Sequence, residues 1–255
     1  MKKSNIAYLT IPIITFCFFL TGNSQNIKQG TVTYLQTSSW VKMMASLDYL
    51  SQNQKDKMLY MSGNRPGWKQ YKILHFNENI SKFENSDIDP DNEFRGWSPK
   101  KEIYFIKNDY KNSTTYRAFL FNGKSYILSD PLEFPAWKIK NNIKEIAGHI
   151  CMNATSYDSI RRQSIEAWFA LDIPLSSGPD RFSGLPGLIL EVDINNGAMI
   201  LSAEKIESLV DNKVFDTPKK IKGKKININQ YNTMLKDYIE EKRKMEQPWF
   251  WGVQY

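Results

Sequence analysis

The sequence predicts a mainly β protein, a β-rich α+β chain. The expected form is a curved antiparallel sheet, half-barrel or sandwich, with one helix near residues 41–60 and a C-terminal helix. Three observations predict it. Short apolar–polar alternating runs recur along most of the chain at roughly ten-residue spacing. Asn122-Gly123 and Asn195-Asn196-Gly197 stand between pairs of such runs, where hairpin turns belong. Only two stretches change from the period of a strand to that of a helix.

The elements follow in order. Gly30-Thr31-Val32-Thr33-Tyr34-Leu35 alternates and is rich in β-branched residues, so it reads as the first strand. Met43, Met44, Leu47, Leu50, Met58 and Leu59 then recur at helical spacing, with Gly63 as a stop, which predicts a helix or a broken helix pair. Strand character returns at 71–76, and 80–83 pairs with it as a hairpin. Residues 85–100 read as a polar loop carrying Pro90, Gly96 and Pro99. Strands follow at 101–107, 116–120, 125–128, 148–157, 164–171, 188–194 and 198–207. Lys213, Lys219, Lys220, Lys222, Lys224 and Lys225 then crowd a stretch with Pro218 and Gly223, an exposed basic linker. The last helix runs from about Asn229, a plausible N-cap, to Glu246, with Tyr231, Met234, Leu235, Tyr238 and Ile239 as its apolar stripe. Pro248 stops it before the aromatic tail Trp249-Phe250-Trp251. The expected organisation is a signal peptide over 1–24, a β-rich domain over 25–210, a basic linker over 211–228, and a helix with aromatic tail over 229–255.

The N-terminus has the layout of a secretory signal. Lys2 and Lys3 precede the apolar run Ile6 to Leu20, and Gly22 and Ser24 are small residues before a cut at Gln25. The run is short for a membrane span and contains Pro12, so no transmembrane segment is expected in the mature chain. Cys17 follows Phe16 inside the apolar run, which is a poor setting for lipidation. The address implied is the periplasm or the outer membrane. Loss of Lys2 and Lys3 lowers the formal charge from +7 to +5. That excess permits contact with an anionic surface, but it is too dispersed for nucleic acid. Cys17 leaves with the signal, so Cys151 has no partner for an intramolecular disulfide and reads as a buried small apolar residue.

The stretch Gly184-Leu185-Pro186-Gly187-Leu188-Ile189 is the densest backbone signal in the chain. Pro186 fixes φ and the glycines open conformations closed to other residues, so a turn launches a buried strand. Leu188, Leu190 and Val192 fall on one face of that strand, and Ile189, Glu191 and Asp193 on the other. The turn reads first as architecture and second as the rim of a ligand cavity. Upstream stand Gly148-His149-Ile150-Cys151-Met152-Asn153-Ala154-Thr155, then Ala167-Trp168-Phe169-Ala170-Leu171-Asp172-Ile173-Pro174, then Ser177-Gly178-Pro179-Asp180-Arg181-Phe182-Ser183. On these runs the chain resembles the GLPGLI family, secreted Bacteroidetes proteins whose role is not established. The resemblance is closest over residues 115–210. His149 stands where that family usually has Tyr, and Asp180-Arg181 where Pro-Trp is common.

No catalytic constellation emerges. Ser183 precedes Gly184, but Gly-x-Ser-x-Gly is absent and the strand follows the turn rather than leading into it. Asp87, Asp89, Asp91 and Glu93 alternate like the start of a calcium loop, yet Asn92 and Ser98 stand where such a loop needs Gly and Glu. His149, Cys151 and His75 lack the paired spacing of a zinc site. No metal or cofactor is expected. The functional expectation is a binding protein for an apolar ligand, a peptide or an outer-membrane partner such as a transporter. Gly184 to Ile189 would be its structural or ligand motif, with Lys219, Lys220, Lys222, Trp249 and Trp251 as partner contacts. The alternative is a hydrolase whose acid and base converge from separate strands.

Overall fold

The computed structural model describes residues 27–61, 67–88, 90, 103–208, 211–217 and 221–255. The leader and most of the acidic loop, including Asp89, Asp91 and Glu93, lie outside the described residues, as do Lys219 and Lys220.

Twelve strands form one sheet. They are β1 Gln29–Ser39, β2 Gly67–Asn77, β3 Ile80–Asn85, β4 Phe105–Asp109, β5 Thr114–Phe121 and β6 Lys124–Pro131, then β7 Lys138–Ile146, β8 His149–Asp158, β9 Gln163–Ala170, β10 Leu188–Ile194, β11 Met199–Glu207 and β12 Lys224–Ile226. The order is β12-β6-β5-β4-β3-β2-β1-β11-β10-β9-β8-β7. Every pairing is antiparallel except β12 on β6. The expected curved antiparallel sheet is therefore present as one unclosed layer. In the β5–β6 hairpin Asn122 and Gly123 take φ of 47° and 74°, as that turn requires.

One connection forces the curvature. β6 and β7 lie ten strand spacings apart in the sheet, about 48 Å if it were flat. Only Leu132 to Trp137 join them, a link that reaches at most about 25 Å when fully extended. The sheet must curl until its two flanks approach. Tyr104, just before β4, accordingly donates to the Asp180 carboxylate, in the loop that leads from β9 to β10, although four strands separate β4 from β10.

The sequence expects one helix near 41–60, and two short ones stand there: α1 Trp40–Ala45 and α2 Gln52–Met61. The Ser46 hydroxyl donates to the Met43 carbonyl and ends the first helix. Met43, Met44, Leu47 and Leu50 are buried, whereas α2 buries no residue fully. The C-terminal helix, α3, spans Ile228–Lys244. Its cap is Asn227 rather than Asn229: the Asn227 side chain accepts from the Gln230 N–H while the Gln230 side chain accepts from the Asn227 N–H. Leu235, Tyr238 and Ile239 of α3 join the same buried cluster as the strand residues, together with Trp249, Phe250, Val253 and Tyr255 of the tail. The Lys-rich stretch contains β12, whose Ile226 is buried.

Candidate functional site

The signature loop runs from the end of β9 to the start of β10. It is a packed piece of chain, with Ile173, Phe182, Leu185 and Ser183 all buried. Main-chain bonds pin it: Gly184 N–H donates to the Ser176 carbonyl at 3.0 Å, Ile189 N–H to Ser177 at 2.9 Å, and Leu188 N–H to Ile173 at 2.9 Å. Each glycine has its own reason. Gly184 sits at φ +93°, and a side chain there would also meet the Phe134 ring at 2.6 Å. At Gly187 a Cβ would come within 2.0 Å of the Ala170 carbonyl oxygen, so only hydrogen lets β10 start against β9.

The strand that follows departs from simple alternation. The register between β10 and β9 shifts between Ile189 and Glu191, so Leu190 is an extra residue in the ladder. Leu188, Ile189 and Leu190 are all buried. Ile189 is covered because Gly178 lies against its side chain, close enough that a Cβ at 178 would approach it to 2.8 Å. Pro186 is the exposed residue of the motif.

The loop also ties down the β6–β7 connection. The Trp137 indole N–H donates to the Ser183 carbonyl at 2.9 Å, and Phe134 lies over Gly184. Between this pair of segments and the turns after β2 and β4 lies a cleft of about 340 Å³. Its walls are Asn77 and Glu78, Tyr110 and Ser113, Leu132 and Phe134, and Pro174 to Ser177. That volume falls within the usual range for ligand pockets. The Ser177 hydroxyl on its wall is buried and has no partner among the described residues. Phe134 is half-exposed.

A second, smaller cavity of about 40 Å³ lies deeper, between β4, β5, α3 and the tail. Beside it the structure gathers charges that sequence reading missed. Asp158 accepts from Arg161 Nη1 at 2.9 Å and lies 3.8 Å from Arg181 Nη2. Arg181 also reaches Asp180 at 3.4 Å, the Gln163 side-chain oxygen at 3.0 Å and a main-chain oxygen of Tyr255 at 3.5 Å. Arg161 Nη2 donates to the Tyr231 oxygen at 2.8 Å. Burial opposes ionisation of Asp158, but Arg161 and Arg181 outweigh it and hold the carboxyl below its ordinary range. Burial likewise works against the Arg161 cation, and Tyr231 and Asp158 more than compensate. Burial and the neighbouring Arg161 cation lower Arg181. Burial and Asp180 push the Tyr104 phenol well up, so it stays a neutral donor.

The remaining sequence candidates are scattered. His149 Nδ1 lies 2.8 Å from the Asp172 carboxylate, and His75 bonds Thr31 at 2.9 Å. Neither imidazole lines either cavity. Cys151 is fully buried, and burial pushes its thiol up to about 12. Trp249 is buried and stacked on Tyr255 with centroids 5.4 Å apart, whereas Trp251 is exposed. Lys222 is exposed. No group of three or more His, Cys, Asp or Glu side chains placed to hold a metal occurs among the described residues, and none of the described helices is long and apolar enough to cross a membrane.

Comparison with known proteins bears out, over residues 158–191, the resemblance read from the sequence. Residues 158–191 match the model of the Porph_ging family, also called GLPGLI and described as a protein of unknown function. No curated protein matches. The chain is similar in fold to PNGF-II, solved in C2 and P21 crystal forms, with a TM-score of 0.52 and 16% identity in each. The match takes in 81% of this chain and 32% or 33% of those. The chain thus spans about a third of the length of the solved structures it matches. The matched family segment holds Asp158, Arg161, Gln163, Asp180 and Arg181 as well as the signature turn.

Proposed function

We propose, from the premise that the chain carries the Porph_ging signature, that it is a binding protein whose ligand is a peptide segment seated in the cleft beside that signature. The observation that supports this most is the 340 Å³ cleft with the signature loop as one wall. Its lining mixes apolar faces (Leu132, Phe134, Leu175) with hydroxyl, amide and carboxylate groups (Ser113, Ser177, Asn77, Glu78). A lipid tail would leave those polar groups unmet, and a peptide presents both backbone polar groups and apolar side chains. Among the described residues Glu78 is the one carboxylate on its wall and no histidine joins it, whereas the hydrolase alternative needs an acid and a base together. The leader-like residues 1–24 support a site of action in the periplasm or at the outer membrane, which cell fractionation checks directly.

Panning a random peptide library against the purified protein tests the reading. Enriched peptides should bind the wild-type chain, and Phe134→Ala should weaken them about tenfold or more by removing the exposed aromatic wall. A library that yields no enrichment, or peptides that bind Phe134→Ala undiminished, would count against the cleft.

A further inference from the structure

We propose that the deeper cavity between β5, α3 and the tail is a binding site for a small oxyanion of carboxylate size. This goes beyond the cleft and takes a different ligand. Arg117, Arg161 and Arg181 line the cavity, with Asp180 as the one carboxylate on its wall and Asp158 behind the two inner guanidinium groups. Arg161 and Arg181 are held by those acids. Arg117 is not: its guanidinium donates to the Thr115 hydroxyl at 3.3 Å and has no ion pair among the described residues.

Two further donors are unmet. Arg161 is at least nine-tenths buried, yet its Nε–H has no partner among the described residues. The Tyr231 oxygen accepts from Arg161, which leaves the phenol proton free to donate. The residues that carry these donors, a guanidinium edge, a buried Nε–H and a phenol O–H, all line one small space, and together they make a set that an anion satisfies and a cation does not. The rings of Phe119, Phe121 and Tyr104 complete the wall and screen such an anion from part of the bulk water, so that each donor counts for more. About 40 Å³ suits an occupant of a few heavy atoms.

Titration of the purified chain with sodium formate and sodium acetate, against sodium chloride at matched ionic strength, reads the site through the unfolding midpoint. Formate should raise the midpoint saturably and beyond chloride. Arg117→Gln, at a half-buried position, should raise the half-saturating concentration about tenfold. Tyr231→Phe removes a single oxygen and should weaken formate in the same direction, deciding the matter if Arg117→Gln fails to fold. Phe134→Ala, at a residue that lines the cleft and not this cavity, should leave the formate response unchanged, so failure here and failure of the peptide reading are separable. A response that matches chloride, never saturates, or persists undiminished in both cavity variants overturns the proposal and leaves water as the occupant.

Discussion

Asp158 shows how one side chain links local chain geometry to the stability of the interior. Its Oδ1 accepts from the N–H groups of Ile160 and Arg161 at 3.0 and 2.9 Å, which shapes the β8–β9 turn. Its Oδ2 meets the Arg161 guanidinium that the same turn delivers. Because its folded pKa lies below the unfolded value of about 3.9, its ionised form stabilises the fold fully above that pH. The contribution is lost as pH falls from there through the folded pKa. Asp158→Asn should cost about 3–5 kcal/mol at pH 7, because Arg161 is left buried without its acid. Urea unfolding across a pH series should show the gap between wild type and Asp158→Asn closing below about pH 4. A gap that stays constant would show that the ion pair is not its source. None of this was legible beforehand. Asp158 ends β8, Arg161 stands in the turn after it, and Asp180 and Arg181 lie in the loop before β10, with neither period nor motif to join them. The only hint was that Asp180-Arg181 stands where the resembling family has Pro-Trp.

Among the elements, legibility follows burial. β1 alternates cleanly because one face packs and the other is half-open, and its pattern reads straight from Thr31 to Leu35. β7 escaped detection because it is an edge strand. Lys138, Lys140 and Lys144 interleave with exposed Ile139 and Ile143, so no buried face imposes a period. β12 escaped because three residues inside a lysine cluster cannot carry one. Of the cleft, only a rim at the signature turn was legible, as that turn's second reading; the other walls come from loops far apart in sequence. For α3 the apolar stripe read correctly, while the cap lay two residues earlier than Asn229. Asn227→Ala should therefore lower stability by about 1 kcal/mol in urea unfolding, and Asn227→Ser should restore most of it. The same loss from Asn229→Ala would move the cap back to 229.

At the scale of the whole molecule, the C-terminal segment is part of the body rather than an appendage. Deleting residues 228–255 removes seven side chains from the shared core: Leu235, Tyr238, Ile239, Trp249, Phe250, Val253 and Tyr255. At roughly 2 kcal/mol for each buried side chain the loss is on the order of 15 kcal/mol, as much as a domain of this kind holds in total. The shortened chain should show no cooperative thermal transition by circular dichroism. A sharp melt near that of the full chain would mean that the sheet stands alone. The place of β1 in the sheet has a consequence for the order of assembly. It is the earliest strand among the described residues, yet one of its two neighbours is β11, with Ser38 opposite Met199 and Thr31 opposite Glu207. During synthesis its outer rungs stay vacant until more than 160 residues have followed it, and the entropy of closing so long a loop weighs on the rate. This early strand is thus among the last to be fully seated, and a nascent chain remains open to threading or to chaperones until β11 has emerged.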